Sequence, residues 1–217
     1  MIISALLITL KISIISVFIS AIITILLAWK INKVDKKRKK IIEWIVTLPI
    51  FFSPSAIGYV LLLILGKKGI IGGYLYNYFD IKIIFTWWAG VIATSVVIFP
   101  ILYQNIKSGL LGIESSYIEA AKEMGASKWQ TLIHIQLPMI KKNIFTGLLL
   151  AFGRAVGEFG ATLMIAGNIP GRTQTIPMAI YSAVELGDYK SANIILLIIS
   201  VISFIILIFY NYNLKKD

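Results

Sequence analysis

The chain has 217 residues, 58% of them hydrophobic and only 14% charged, against about 25% charged in an ordinary soluble domain. With a mean hydropathy of +0.86, it reads as one compact membrane domain. It has no cysteine, which excludes disulfides and thiolate metal sites, and its one histidine, His134, excludes most histidine-based ones. The formal net charge of +11 raises nucleic acid as a partner. The basic residues sit in short segments between apolar spans, however, which is the pattern of cytoplasmic membrane loops, and nucleic acid is set aside.

Residues 3–28 form the first apolar span, long enough to cross a bilayer. It is too long for a secretory signal, and no basic segment precedes it. Lys11 lies about two turns in, where it can snorkel to the surface, and Trp29 suits an interface belt. Residues 30–40 carry seven Lys/Arg and one Asp, a solvated anchor that attracts anionic lipid without a specific site. The second span, about residues 41–65, contains Pro49 and Pro54, read either as a simple kink or as a bent pore-lining helix. Residues 66–82 combine four glycines with Tyr74, Tyr76, Tyr78 and Phe79, which predicts turns and an interfacial half-helix. The third span, about 83–103, opens on Trp87 and Trp88 and is kinked or thinned by Pro100.

A polar stretch, residues 114–138, then interrupts the apolar pattern. Ser116 and Glu119 have capping-box spacing, so a helix is expected from about Tyr117. Gly125 fits the left-handed position that ends it. Ser127 and Gln130 repeat the box, and Leu137-Pro138 is expected to stop the second helix. Lys141 and Lys142 anchor the next span, about 144–166, in which Gly147, Ala151 and Ala155, and likewise Gly153, Gly157 and Ala161, recur every four residues. Small residues at that spacing let helix backbones approach closely. The same span holds Arg154 and Glu158, four apart and able to pair. Residues 168–188 are polar; Pro170-Gly171 signals a type II turn, and Thr175 is placed to cap a short helix ending near Gly187. The last span, about 191–210, leads to a tail with Lys215 and Lys216.

Charge placement orients these five spans. With residues 30–40 in the cytoplasm, that side holds 14 Lys/Arg and the other five (Lys67, Lys68, Lys82, Arg172 and Lys190). The bias predicts an external N-terminus, a cytoplasmic C-terminus, and a cytoplasmic elbow at 114–138.

The elbow resembles the coupling motif of ABC importer permeases. Glu119-Ala120-Ala121, Gly125, Ile135 and Leu137-Pro138 match its residues and spacings. Residues 151–177, with Arg154, Glu158 and the Asn-Ile-Pro-Gly-Arg-Thr-Gln-Thr run, resemble the molybdate permease subfamily; sulfate permeases are relatives. The resemblance covers essentially the whole chain. It implies an all-α, type I ABC importer transmembrane domain in a prokaryotic cytoplasmic membrane. It also implies a separate ATPase subunit docked at the elbow, an extracytoplasmic oxyanion-binding protein, and a second copy of the chain, with membrane lipid around them. Transport would proceed by alternating access, with molybdate, tungstate or sulfate as the oxyanion. The chain has no Gly-x-x-x-x-Gly-Lys-Ser/Thr phosphate loop, so it is expected to be no enzyme itself. No cofactor or metal is expected in it, ATP and Mg being used by the partner. Arg154 and Glu158 have two compatible roles, a structural ion pair or a station on the oxyanion pathway, since two charges in one span must be compensated.

Two other function classes are weaker. An intramembrane enzyme lacks a nucleophile–base or metal set: there is no Cys, and Glu158 is the only clear mid-span carboxylate. A channel or secondary transporter would not need the elbow, and neither an inverted repeat nor a broken-helix pair, the cues for that class, is evident in the sequence.

Overall fold

Five small hydroxyl residues decide how the first helix packs. In the computed structural model, α1 spans Ile2–Ile31, and Thr9, Ser13, Ser16, Ser20 and Thr24 form its buried face, at three- and four-residue spacing. Ser16 donates to the Val91 carbonyl at 3.0 Å and Ser20 to the Ser95 carbonyl at 3.5 Å. Ile3, Leu7, Ile14, Phe18 and Ile22 point outward. The most polar face is thus the inner one, as expected where association depends on close packing and interhelical hydrogen bonds rather than on apolar burial. Residues 2–31 and 34–214 are described; Lys33 of the first basic loop and the tail lysines Lys215 and Lys216 lie outside them.

The partner of α1 is α5, Trp87–Leu111, its most extensive contact. The two run parallel, with Gly90 against Ile12 near one end and Tyr103 and Ile106 clustered with Ala28 near the other. The third apolar segment therefore runs to Leu111 rather than Tyr103. Its polar residues find partners: Asn105 donates to the Ile101 carbonyl at 2.9 Å within the helix, and Lys107 pairs at 2.7 Å with Glu43 of the preceding apolar segment. Pro100 is accommodated inside it.

The second and fourth apolar segments are not single helices. The second divides into α2 (Lys36–Thr47), a 3₁₀ turn (Leu48–Ile50) and α3 (Pro54–Leu65), with a 115° bend. Pro49 and Pro54 each stand in the first turn of a new helix, where a missing N–H costs nothing. The kink expected there is a full break. The fourth divides into α9 (Lys141–Val156) and α10 (Gly160–Ala166), bent by 60°. A pair of broken helices is therefore present, contrary to the reading of the sequence. By length and composition, α1, α5 and α12 (Tyr189–Leu214) are each able to cross a membrane, and the two bent pairs bring the number to five.

The break also separates the two small-residue series. Gly147, Ala151 and Ala155 remain one buried face of α9, where a Cβ on Gly147 would stand 3.0 Å from Asn105 Cβ and Ala151 and Ala155 cluster with Val17, Ile98 and Leu102. Gly153 faces Ile206 of α12, Gly157 is exposed at the break, and Ala161 packs with α5 in a different cluster. Gly58 of α3 lies so close to α10 that a Cβ there would come within 2.8 Å of the Ala161 carbonyl oxygen.

Short helices α4 (Ile70–Phe79) and α11 (Ile176–Glu185) cover the end opposite the elbow. Trp87, at that end, carries the Lys11 ammonium 3.5 Å from its ring centroid. Ile169–Arg172 forms the expected type II turn, with Gly171 at φ +74 and the Arg172 amide bonded to the Ile169 carbonyl. Thr175 precedes α11, but its side chain does not cap it. The Ile176 amide instead donates to the Thr9 hydroxyl at 2.8 Å, a bond spanning 167 positions. The other end of α11 is as expected: Gly187, at φ +71, follows it, and the Asp188 amide reaches back to the Ala183 carbonyl.

Candidate functional site

The elbow is built from α6 (Ser115–Glu123) and α7 (Lys128–Thr131). α6 starts two residues before Tyr117, with Glu114 in the capping position. Ser116 consequently lies inside the first turn, and its hydroxyl donates to the Glu114 carboxylate at 3.3 Å instead of forming a box with Glu119. The end of α6 is as read. Gly125 has φ +78, its amide donates to the Lys122 carbonyl, and the Ala126 amide to the Ala121 carbonyl, both at 2.9 Å. This is the Schellman pair of bonds, which requires a left-handed residue at that point. The second capping box is complete: the Gln130 amide donates to Ser127 Oγ at 3.2 Å and the Ser127 amide to Gln130 Oε1 at 2.8 Å.

Pro138 does not end the second helix. The backbone widens into a π turn over Leu132–Gln136 and continues through Leu137, at φ −63 and ψ −44, into α8 (Leu137–Met139), and Ile140, at φ −96 and ψ 14, separates α8 from α9. The Leu137 amide reaches the Leu132 carbonyl five residues back. Widening the helix just before a proline relieves its ring from the carbonyl it would otherwise strike, so the helix passes Pro138 and ends one residue later, at Met139.

The motif residues divide by position. Ala121, Gly125 and Ile135 line one groove, with Met124 and His134 at its edge. Glu119, Ala120 and Pro138 are exposed, and Leu137 packs on the core around Ile140. Met124 is 88% exposed at the tip, and the sequence reading passed over it; its place directly before the helix-ending glycine is the signal that marks it. On the inner side, Trp129 packs edge-on against Trp29 with ring centroids 5.7 Å apart. The Trp29 ring is thus engaged with the elbow.

The second site lies at the α9–α10 break. Arg154 is in the last turn of α9, and Glu158 lies just beyond its end. The pair forms, with Arg154 Nη2 2.7 Å from Glu158 Oε2 and side-chain exposures of 33% and 1%. The contact is close but off the hydrogen-bond axis, so it acts through charge. The other carboxylate oxygen accepts the Ala161 amide of α10 at 2.9 Å. Glu158 therefore ties the end of one half-helix to the start of the next, and its buried charge is compensated from both sides. Above it, Phe159 packs on Tyr181 of α11 at 5.4 Å, and the Tyr181 hydroxyl donates to Glu185 at 2.6 Å. That bond and the Glu185 charge hold the Tyr181 phenol above its usual range.

Residues 20–216 match the family described as the inner membrane component of binding-protein-dependent transport systems. The chain belongs to this family. As an inner membrane component, it is an all-helical, multi-pass transport subunit of a cell membrane. Among its relatives is YvgM of Bacillus subtilis (strain 168), provisionally named a molybdenum transport system permease protein, 45% identical over 79% of this chain and 75% of the relative. The molybdenum transport system permease protein ModB of Escherichia coli (strain K12) is 36% identical over 91% and 86%. The fold is also that of a chain in a bacterial alginate ABC transporter solved with a periplasmic protein, with TM-score 0.78 and 23% identity over 99% of this inner membrane component and 78% of that chain.

Proposed function

We propose that the chain is the membrane-spanning permease subunit of an ATP-driven oxyanion importer, with molybdate as its substrate. The observation that carries this reading is the joint presence of the coupling elbow, bent at Gly125 by the Schellman bonds, and likeness to molybdenum permeases over most of the chain. A separate ATPase engages the groove around Gly125, Met124 and Ile135, and an extracytoplasmic binding protein delivers the ion. Two copies enclose the pathway, since one chain with five crossings does not surround a channel and closed two-fold symmetry is the common solution. The N-terminus lies outside and the elbow in the cytoplasm.

ATPase closure moves the elbow, and because only the turn at Ile140 separates its last helical turn from α9, with the Ile144 amide bonded to the Ile140 carbonyl, the displacement is passed to Arg154 at the far end of that helix. This is alternating access by rigid-body motion. Arg154 supplies a positive charge for the oxyanion, and Glu158 competes for it, so that the ion is held weakly enough to leave.

A sulfate permease is the second reading, favoured by a relative of Prototheca wickerhamii provisionally named a sulfate transport system permease protein, 32% identical over 94% of this chain. Competition uptake of labelled molybdate separates the two. Inhibition by tungstate with indifference to sulfate is expected; strong inhibition by sulfate at similar concentration overturns the molybdate assignment, and uptake without ATP overturns the importer itself.

A further inference from the structure

The two helix breaks meet inside the membrane. α3 has 12 residues and α10 seven, roughly 18 Å and 10 Å of helix, against a hydrocarbon layer of about 30 Å. Neither crosses alone, and each bent pair has the length and composition of a span only when joined. Phe52 and Val96 line one pocket and Ala161 packs with Ala93, so both breaks, at 51–53 and 157–159, stand beside the middle part of α5, within the hydrocarbon layer. They also lie at one level, because a Cβ on Gly160 would stand 2.7 Å from Ser55 Oγ and 3.1 Å from the Ser55 amide nitrogen.

One side of this junction is open. Phe51 is 83% and Phe52 46% exposed, and Ser53, Ser55 and Gly157 are exposed with them. Arg154, four residues before Glu158 at the second break, is partly exposed. Non-helical backbone at membrane depth is not tolerated against lipid; it occurs where it is buried in protein or lines water. An arginine exposed to lipid at that depth costs several kcal/mol on insertion scales. The α12 surface around Leu197 and Val201 contrasts with this face, being apolar and continuously helical.

We propose that Phe51–Ser55 of the first break, with Gly157 of the second, form a water-exposed wall of the oxyanion pathway at the level of Arg154. Ser53 Oγ accepts the Ala56 amide at 3.2 Å, which leaves its own O–H free to donate to a passing anion. Ser55 presents a second hydroxyl. Flexing at the two breaks widens or narrows the wall without disturbing α1 and α5, which run unbroken alongside. This inference rests on the permease reading.

The chain has no cysteine, so a single introduced thiol is its only one. Ser53→Cys and Ser55→Cys, nearly isosteric, are assembled with the ATPase subunit and exposed to a membrane-impermeant methanethiosulfonate, with Leu197→Cys as the lipid-facing control. Thiolate forms only where water reaches the sulfur, so both serine positions should react at least about tenfold faster than Leu197→Cys. Reaction of both no faster than the control overturns the wall, as does oxidative cross-linking of two copies through Ser53→Cys without labelling, which means a dry interface. Assembly with the ATPase serves as the folding control for each variant. Uptake is read on the parent complex: labelling of the variants with no oxyanion uptake by the parent leaves the wall standing and removes the substrate reading, whereas uptake by the parent without labelling of the variants does the reverse.

Discussion

Gly125 offers a clean separation of backbone strain from side-chain contact. Its φ is +78, and a Cβ built on it meets nothing within 4 Å. Gly125→Ala thus introduces no collision, and its cost is the left-handed backbone alone, about 1–2 kcal/mol for an L-residue. That lowers the ratio of bent to unbent elbow by about 5–30-fold. Asn tolerates this conformation better than other residues, so Gly125→Asn should cost less than Ala, and β-branched Gly125→Val more. The assay is energised uptake of labelled molybdate in vesicles, with retention of the ATPase subunit on purification measured in parallel. Both should fall in the order Gly, Asn, Ala, Val. Equal activity of Ala and Val with the parent would refute the requirement for a left-handed bend. If Asn is as damaging as Val, the new side chain is obstructing the docked partner, and strain is not the cause.

Glu158→Ala leaves Arg154 unpaired and the Ala161 amide without its acceptor, and should destabilise the purified complex by about 3 kcal/mol, the low end for broken buried pairs, because Arg154 retains partial exposure; Glu158→Gln keeps an acceptor and should lose less in thermal inactivation. Arg154→Ala should impair oxyanion uptake while assembly with the ATPase persists, and normal uptake would remove Arg154 from the pathway. Gly58→Ala drives a Cβ to 2.7 Å from Met164 Cβ and 2.9 Å from Ala161 Cα, so α3 must separate from α10 at a cost of about 1–3 kcal/mol, visible as a lower melting temperature. Asp188 caps α12 by accepting the Ser191 amide at 3.1 Å, and hydrogen bonds from Ser191 hold its carboxyl below the usual carboxylate range. A depressed folded-state pKa gives stabilisation that is present above the unfolded value, about 3.9, and is lost as pH falls through the folded one. Hydrogen-exchange protection in the first turn of α12, taken relative to the intrinsic exchange rate at each pH, should fall over that acid range and should lose this pH dependence in Asp188→Asn.

Local chemistry was enough to read much of this chain from its residues in order. The left-handed glycine at 125, the Ser127–Gln130 box and the Pro170–Gly171 turn each depend on a few adjacent residues, so their signals survive without tertiary information. Apolar lengths and Lys/Arg placement likewise predict five crossings and an orientation without reference to packing. Tertiary structure decided what depends on neighbours distant in sequence. Pro49 and Pro54 look like kinks in one helix, but each starts a new one, because α3 turns away to pack Gly58 on Ala161. Thr175 has a cap residue's position, yet Thr9 does the capping from α1. Leu137-Pro138 reads as a stop, and a π turn carries the helix past it to Met139, so the stop falls at Ile140. Arg154 and Glu158 could be paired from their spacing alone. That the pair bridges a helix break, and that this break faces the one at Ser53, required the folded chain, because backbone left unpaired in a membrane must find its partners through space.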